Sequence, residues 1–200
     1  RDSCSLVGSE MCIRDRHRGQ VMKVITGYAR GRNLATLPGA DVTRPTTQST
    51  KEALFSSIQF EIEGKRVLDL FAGCGQLGIE ALSRGASHCT FVESNRQAYN
   101  TVESNIKLCK MEHSSQLVFS DAVSFLSRKN QFDIAFLDPP YNKGLILDCL
   151  SKLVGNMSND GVIICESDNR EELPQTVGDW SVSKQKKYGK SKLTYYRKDI

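Results

Sequence analysis

Residues 66–85 read RVLDLFAGCGQLGIEALSRG, and they indicate the class of fold. A short apolar run ends in small residues at 72, and a helix-like segment that closes with glycine follows at 78–85. The pattern predicts a buried strand, a tight glycine turn and a helix. The same alternation continues along the chain. We predict further strands at 88–94, 116–120, 132–137 and 161–167, and further helices at 95–111, 121–128 and 145–154.

Strands and helices that alternate in this way predict an α/β fold with a doubly wound, mostly parallel sheet, which we expect to have seven strands. The helices supply apolar faces that can cover such a sheet. The helix at 95–111, for example, carries an apolar residue at each of four positions with helical spacing, which are Ala98, Val102, Ile106 and Cys109.

The two ends of the chain depart from this alternation. WSVSKQKKYG at 180–189 and KLTYYRK at 192–198 flank a Gly-Lys-Ser turn, which predicts an antiparallel hairpin at one edge of the sheet. Near the other end, the segment 22–34 has strand–turn character with arginines at its tip. We predict a short basic hairpin there.

Composition limits the kind of protein. The chain has 200 residues, 39% of them hydrophobic, and a formal charge of +4, which suits one globular domain. No run approaches the roughly 20 apolar residues that span a bilayer, so we predict no membrane contact. Seven cysteines without a CxxC spacing and three histidines without a cluster predict no metal site. We expect a reduced, cytoplasmic protein and, since nothing indicates more, a monomer.

Residues 1–21 are set apart from the fold. LVGSEMCIRDR at 6–16 has no helix or strand periodicity and resembles the translation of a sequencing-library adapter. We predict that 1–21 is a non-native or disordered leader and that the natural start is Met22. A native, disordered N-terminal extension is the alternative.

The turn after the first strand of the quoted stretch contains G-x-G-x-x-G at Gly73, Gly75 and Gly78. Glycine lets the backbone turn tightly and approach a ligand closely, while the amides at the start of the helix face it. Alone, the motif is a weak indication of a nucleotide.

Three acids strengthen that indication because each lies at or near the end of a successive strand. They are Asp69, Glu93 and Asp121. A carboxylate at 93 can accept hydrogen bonds from both ribose hydroxyls, and one at 121 can meet an adenine amino group. Each acid alone could equally be a solvated strand end or a helix cap. Together they predict an adenosine-containing ligand. An acid at position 69 repels a diphosphate and suits the cationic S-adenosylmethionine.

The fourth strand of the alternation ends in FLDPPY at 136–141. Two prolines stop the strand from pairing further and hold the acid before them in an extended conformation. Asp138 and the carbonyl of Pro139 are then rigid acceptors for the two hydrogens of an exocyclic amine, and Tyr141 can stack on the base. We predict an amino methyltransferase that works mainly by orienting the amine. A proline-rich strand exit with a packing tyrosine is the alternative.

With these motifs in place, the chain resembles the RsmD-type 16S rRNA (guanine-N2)-methyltransferases, a family of Rossmann-like class I methyltransferases. Four segments carry the resemblance: VITGYARGRNL at 24–34, RPTTQSTKEALF at 44–55, DLFAGCGQLGIEALSRGA at 69–86, and FLDPPY. The family implies methyl transfer from S-adenosylmethionine to the N2 amine of one guanine in 16S rRNA, as naked RNA or in an assembling 30S subunit. It also implies 22–60 as an RNA-contacting extension and 61–200 as the methyltransferase domain.

The resemblance also assigns roles to single residues. The cofactor set that it implies is Asp69, Phe71, Gly73, Gly75, Glu93, Ser94, Asp121 and Ala122, and the guanine set is Asp138, Pro139, Pro140 and Tyr141. Departures are few: Cys74 stands where the family usually has serine, Gln76 is at a variable position, and STKE at 49–52 lacks an arginine often found there.

Basic residues predict where RNA binds. Between 22 and 51 there are five basic residues and one acid, and the C-terminal hairpin is rich in lysine. Lysine and arginine on one surface suit phosphate contacts, although a charged run is often only a solvated face. The predicted RNA contacts are Arg30, Arg32, Arg44 and Lys187.

Two other functions stay open at this point. An adenine amino methyltransferase acting on DNA or another RNA would use the same DPPY exit, but the chain leaves no room for a separate target-recognition domain. An RNA-binding module without activity would keep the fold, but it would not need the acids and the DPPY motif.

Overall fold

Strands and helices alternate along the part of the chain that the computed structural model describes, which is residues 22–37, 48–140 and 144–199. The strands are β1 (Met22–Lys23), β2 (Asn33–Leu34), β3 (Arg66–Asp69), β4 (His88–Glu93), β5 (Ser115–Phe119), β6 (Phe132–Leu137), β7 (Met157–Asp168), β8 (Thr176–Val177), β9 (Trp180–Tyr188) and β10 (Ser191–Lys198). The helices are α1 (Gln48–Ser57), α2 (Gln76–Ser83), α3 (Arg96–Cys109), α4 (Ala122–Leu126) and α5 (Leu145–Leu153).

The main sheet has the order β5-β4-β3-β6-β7-β10-β9-β8. The first five strands in this order pair in parallel, and β10, β9 and β8 pair antiparallel. The predicted doubly wound α/β class and the C-terminal hairpin are therefore confirmed. Within the described residues this sheet has eight strands where seven were predicted, because the two residues of β8 add a short edge strand to β9.

The helices cover both faces of this sheet. One face packs against α1, α2, α3 and the N-terminal hairpin of β1 and β2, and the other packs against α4 and α5. Neighbouring strand residues divide between the two cores: Val67 belongs to the first and Leu68 to the second. This division explains why the strands are apolar at successive positions and not at alternate ones.

A buried carboxylate anchors the N-terminal hairpin to α2. Glu80 has no exposed surface and accepts hydrogen bonds from the backbone N–H groups of Ile25 (2.8 Å) and Thr26 (3.0 Å). It also forms ion pairs with Lys51 at 3.3 Å and Arg84 at 2.9 Å. Two cations and two amides together compensate the cost of burying the charge.

The turn of the hairpin lies directly on the end of α2. The N–H of Tyr28 donates to the carbonyl of Ser83 at 3.0 Å, and the N–H of Ala29 donates to its hydroxyl at 3.0 Å. Gly27 allows this approach, since an added Cβ would stand 1.6 Å from the Ser83 carbonyl oxygen. Gly27 also has φ +85°, a value that favours glycine.

Two further findings bear on the predictions from composition. The five cysteines of the described residues are free thiols. No helix within those residues combines the length and apolar character needed to cross a membrane.

Candidate active site

The site is built where the sheet changes winding direction. From β3 the chain proceeds to β4 and β5 on one side, and β6 and β7 lie on the other. In open parallel sheets, the helices that follow diverge at such a point and leave a crevice outside the carboxyl ends of the strands. Asp69, Glu93 and Asp138 lie at the carboxyl ends of β3, β4 and β6, so the topology brings these predicted residues to one edge.

The glycine loop between β3 and α2 owes its shape to two left-handed residues. Gly73 has φ +58° and Gly75 has φ +79°, a region that other residues rarely adopt. The third glycine has a different role. An added Cβ at Gly78 would stand 2.3 Å from Cε1 of Phe91, so its absence allows α2 to pack against β4.

Asp69 supplies negative charge beneath this loop. It is only 2% exposed, and its Oδ2 accepts a hydrogen bond from the N–H of Gly78 at 3.0 Å. Burial raises the pKa of the carboxyl to about 7, against the opposing hydrogen bond from Gly78 and with a contribution from Glu93. The group therefore titrates near neutral pH, and its charged form suits a cation in the crevice.

Glu93 ties the ends of β3 and β4 together. One carboxylate oxygen accepts from the N–H of Gly73 at 2.9 Å and the other from the N–H of Asn95 at 2.7 Å. A carboxylate has about four acceptor positions, so both oxygens keep capacity for hydroxyl donors. Of its predicted neighbours at the cofactor, Ser94 is exposed and Phe71 is half-buried.

Asp121 follows β5 and begins α4. Its Oδ1 accepts a hydrogen bond from the N–H of Ser124 at 2.8 Å, and this bond lowers the pKa of the exposed carboxyl. The residue is thus the N-cap of the helix. A helix cap was one of the alternatives that the sequence left open for this acid. Its role at adenine, together with that of the buried Ala122, stays a prediction.

The DPPY exit lies beside the loop that follows β3. The N–H of Leu70 donates to the carbonyl of Phe136 at 3.1 Å, two residues before the motif. Asp138 is half-buried, Pro139 is buried and Pro140 is exposed. Tyr141 lies outside the described residues, and its stacking role stays a prediction.

The predicted RNA contacts that the structure describes lie on two separate elements, the N-terminal hairpin and β9. Arg30 is exposed at the turn of the N-terminal hairpin. Arg32 donates from Nη1 to the carbonyl of Leu108 at 2.6 Å, at the end of α3 remote from the crevice, where a cation complements the helix dipole. Arg44, like the predicted leader at 1–21, lies outside the described residues.

The fourth RNA prediction concerns the C-terminal hairpin. Lys187 pairs with Lys192, which in turn pairs with Ser167 of β7. Lys186 pairs with Leu193, so the two neighbouring lysines lie on opposite faces of the sheet. Leu193 belongs to the core beneath α1, α2 and α3. Lys187 is therefore on the other side, with α4 and α5.

Two buried polar groups were not predicted from the sequence. Lys51, one of the five basic residues between 22 and 51, is 2% exposed and pairs with Glu80. Asn105 is 1% exposed and bonds to the glycine loop. The sequence did carry a signal for it, because position 105 falls on the apolar face of α3, three residues after Val102.

Among the described residues, no group of three or more His, Cys, Asp or Glu could hold a metal ion.

Comparisons with known proteins agree with this geometry. Residues 22–197 match the family model described as "Conserved hypothetical protein 95". The chain is similar to the "Putative rRNA methyltransferase YlbH" of Bacillus subtilis, with 42% identity over 88% of the chain and 99% of the relative. It is also similar to the "Ribosomal RNA small subunit methyltransferase D" of Escherichia coli, with 34% identity over 90% of the chain and 91% of the relative.

A solved structure shows the same likeness in three dimensions. It is titled "Putative methyltransferase yhhF from Escherichia coli" and superposes with a TM-score of 0.80 at 33% identity. The superposition covers 88% of this chain and 97% of the other, so it includes both the sheet and its helices.

Proposed function

The chain belongs to the ribosomal RNA small subunit methyltransferase D family, and we propose that it transfers a methyl group from S-adenosylmethionine to the N2 amine of one guanine in 16S rRNA. Family membership supports rRNA methylation with this donor. One observation supports the finer assignment to an exocyclic amine: Asp138 and Pro139 directly follow β6, beside the strand that leads into the glycine loop.

The residues of the crevice fit the methyl donor in charge and shape. Asp69 would face the cationic methionine part, with Phe71 and the left-handed Gly73 and Gly75 around it. Glu93 and Ser94 would hold the ribose. The adenine would lie at Asp121 and Ala122. When bound, the donor supplies a sulfonium methyl that is already reactive, so the protein has mainly to place the two reactants.

Asp138 orients the guanine amine in this proposal. Its carboxylate and the Pro139 carbonyl accept the two amine hydrogens and direct the nitrogen lone pair toward the methyl group. Asp138 then stabilises the positive charge that develops on nitrogen, and solvent takes the proton after transfer. It is not a general base, because an aryl amine is hardly acidic before it is methylated. Pro140 and Tyr141 complete the wall against the base.

The proposal extends to the partner and the setting of the reaction. Arg30, Arg32, Arg44 and Lys187 would contact phosphates of 16S rRNA, naked or in an assembling 30S subunit. We include a monomeric state and a cytoplasmic location, since the RNA substrate is found there and the described cysteines are free thiols.

The test of this function is a methyl-transfer assay on a defined substrate. The protein is incubated with labelled S-adenosylmethionine and 30S subunits from cells that lack this activity, and the modified nucleoside is identified by mass spectrometry. We expect N2-methylguanosine at one site. Asp138→Ala should reduce turnover by about 100-fold or more, as loss of one charge-stabilising group does, while donor affinity is retained.

Asp160→Ala is the control, because it removes an exposed carboxylate from the first part of β7, at the opposite end of the parallel strands from the crevice. It should keep full turnover. Methyladenosine as the product would refute the guanine assignment, and loss of donor binding in Asp138→Ala would refute the division of roles.

A further inference from the structure

One buried amide joins the glycine loop to the basic N-terminal hairpin. Asn105 lies on the apolar face of α3 and is 1% exposed. A polar side chain at such a position has lost its water and must find partners within the protein. Both of its partners are backbone segments that the proposed function assigns to different ligands.

Both the nitrogen and the oxygen of the Asn105 amide form hydrogen bonds to backbone groups. Nδ2 donates to the carbonyl of Cys74 at 2.8 Å and to that of Ala35 at 3.0 Å, and Oδ1 accepts from the N–H of Ala35 at 2.9 Å. Cys74 is the middle residue between Gly73 and Gly75 in the loop. Ala35 directly follows β2, the second strand of the hairpin.

We propose that Asn105 is a positioning residue that couples binding of the methyl donor to binding of RNA. This inference rests on the proposed function. A donor that binds at the glycine loop favours the loop conformation seen here, in which the Cys74 carbonyl accepts from the amide. The amide group is planar, so fixing it for Cys74 also fixes it for Ala35 and holds the hairpin in place. By linkage, RNA bound at the hairpin strengthens donor binding by the same factor.

The chain offers a closely matched control residue. Asn156 is 5% exposed, accepts from the N–H of Asn130 at 2.8 Å, and donates to the carbonyls of Leu126 and Lys152, both at 3.0 Å. It thus makes the same three kinds of bond to backbone groups. Its partners lie at α4, α5 and the start of β6, on the other face of the sheet from the hairpin.

The experiment measures a coupling factor. The Kd of S-adenosylhomocysteine, which cannot react, is determined without RNA and with a saturating 16S rRNA fragment, and the ratio of the two values is the factor. We expect 5-fold or more for the wild type, within the usual range for coupled sites. Asn105→Ala should lower the factor to about 1, while Asn156→Ala should keep the wild-type factor despite a similar loss of thermal stability.

A second variant keeps the test decisive if Asn105→Ala does not fold. Ala35→Pro removes the N–H that donates to Asn105 and changes only an exposed residue outside the core. It too should lower the coupling factor.

Two results would overturn the inference and leave the proposed function standing: a wild-type factor of 1, or a wild-type factor retained in Asn105→Ala or Ala35→Pro. A wild-type protein that binds neither S-adenosylhomocysteine nor RNA would instead overturn the proposed function, and the inference with it.

Discussion

Asp69 shows how a single buried group can make the protein sensitive to pH. The folded state raises the pKa of this carboxyl to about 7 from 3.8, mainly by burial. Between these values the folded protein holds a proton that the unfolded chain has released. Stability from this group is therefore lost as the pH rises from about 4 to 7. The same rise in pH creates the charge that the donor cation needs.

We therefore expect Asp69→Asn to have opposite effects on stability and binding. The melting temperature of the variant, relative to that of the wild type, should increase as the pH rises from 4 to 7. Above that range the variant should keep the higher relative melting temperature. Donor affinity of the wild type should increase over the upper part of the same range, while that of the variant stays weak. Thermal melts and donor titrations across this pH series test both effects.

Asp133→Asn serves as a control of opposite sign. Burial acts to raise the pKa of Asp133, but hydrogen bonds from Arg66 and Ser158, with the nearby charges of Arg66 and Lys65, hold it below its usual value. The wild type should have a higher melting temperature than this variant above about pH 4, and this difference should disappear as the pH falls further. For each variant, the measured quantity is the melting temperature relative to the wild type. If this quantity changed with rising pH in the same direction for Asp69→Asn and Asp133→Asn, the assigned pKa shifts would be contradicted.

For single residues, the sequence predicted the position along a strand better than the burial of the side chain. It placed Asp69, Glu93 and Asp138 at strand ends because strand ends follow from local pattern. It could not predict that Asp69 is buried while Asp121 is exposed. Burial depends on which elements pack over a residue, and those contacts come from distant parts of the chain.

Among the elements, the N-terminal hairpin depends most on a close backbone approach. Gly27 and Gly31 both have left-handed φ values, +85° and +83°, but only Gly27 lies against another element. An added Cβ at Gly27 would overlap the Ser83 carbonyl, whereas one at Gly31 would have no atom within 4 Å. A substitution at Gly31 therefore tests backbone strain alone, whereas one at Gly27 tests strain together with contact between the hairpin and α2.

We predict that Gly27→Ala releases the hairpin from α2 and that Gly31→Ala does not. Both variants should lose about 1–2 kcal/mol through the strained φ, and Gly27→Ala should lose more through the clash. Limited trypsin digestion at Arg30 and Arg32, read by mass spectrometry, should show faster cleavage in Gly27→Ala alone. Equal cleavage of the two variants would refute the docking role of Gly27.

The sequence predicted that the hairpin exists but not where it lies. Its strand–turn pattern is local, whereas its anchors at Glu80 and Ser83 are 54 or 55 residues away along the chain. Edge strand β8 was missed for a related reason. Two residues carry no periodicity, and only pairing with β9 defines them as a strand.

For the molecule as a whole, the two helical layers predict an unequal distribution of RNA affinity. The N-terminal hairpin belongs to the layer of α1, α2 and α3, and Arg30 projects from it without burial. Arg128 is also exposed but follows α4, which packs on the opposite face of the sheet. If RNA binds across the N-terminal hairpin, Arg30 releases a counterion on binding and Arg128 does not.

We expect Arg30→Ala to weaken binding of a 16S rRNA fragment and to reduce the slope of log K against log salt by about one. Arg128→Ala should leave both quantities unchanged. Titrations at four or more salt concentrations measure the slopes. An unchanged slope in Arg30→Ala would refute the contact at Arg30, and a reduced slope in Arg128→Ala would show that RNA also contacts the layer of α4 and α5.

The position of β10 has a consequence for how the protein is made. This strand lies inside the sheet, between β7 and β9, although its residues 191–198 come last of the three in chain order. On the ribosome, β7 and β9 therefore emerge before the strand that separates them, and each exposes an unpaired edge until β10 arrives. The nascent chain must avoid joining these two edges directly, and a chaperone that shields either edge would favour correct insertion.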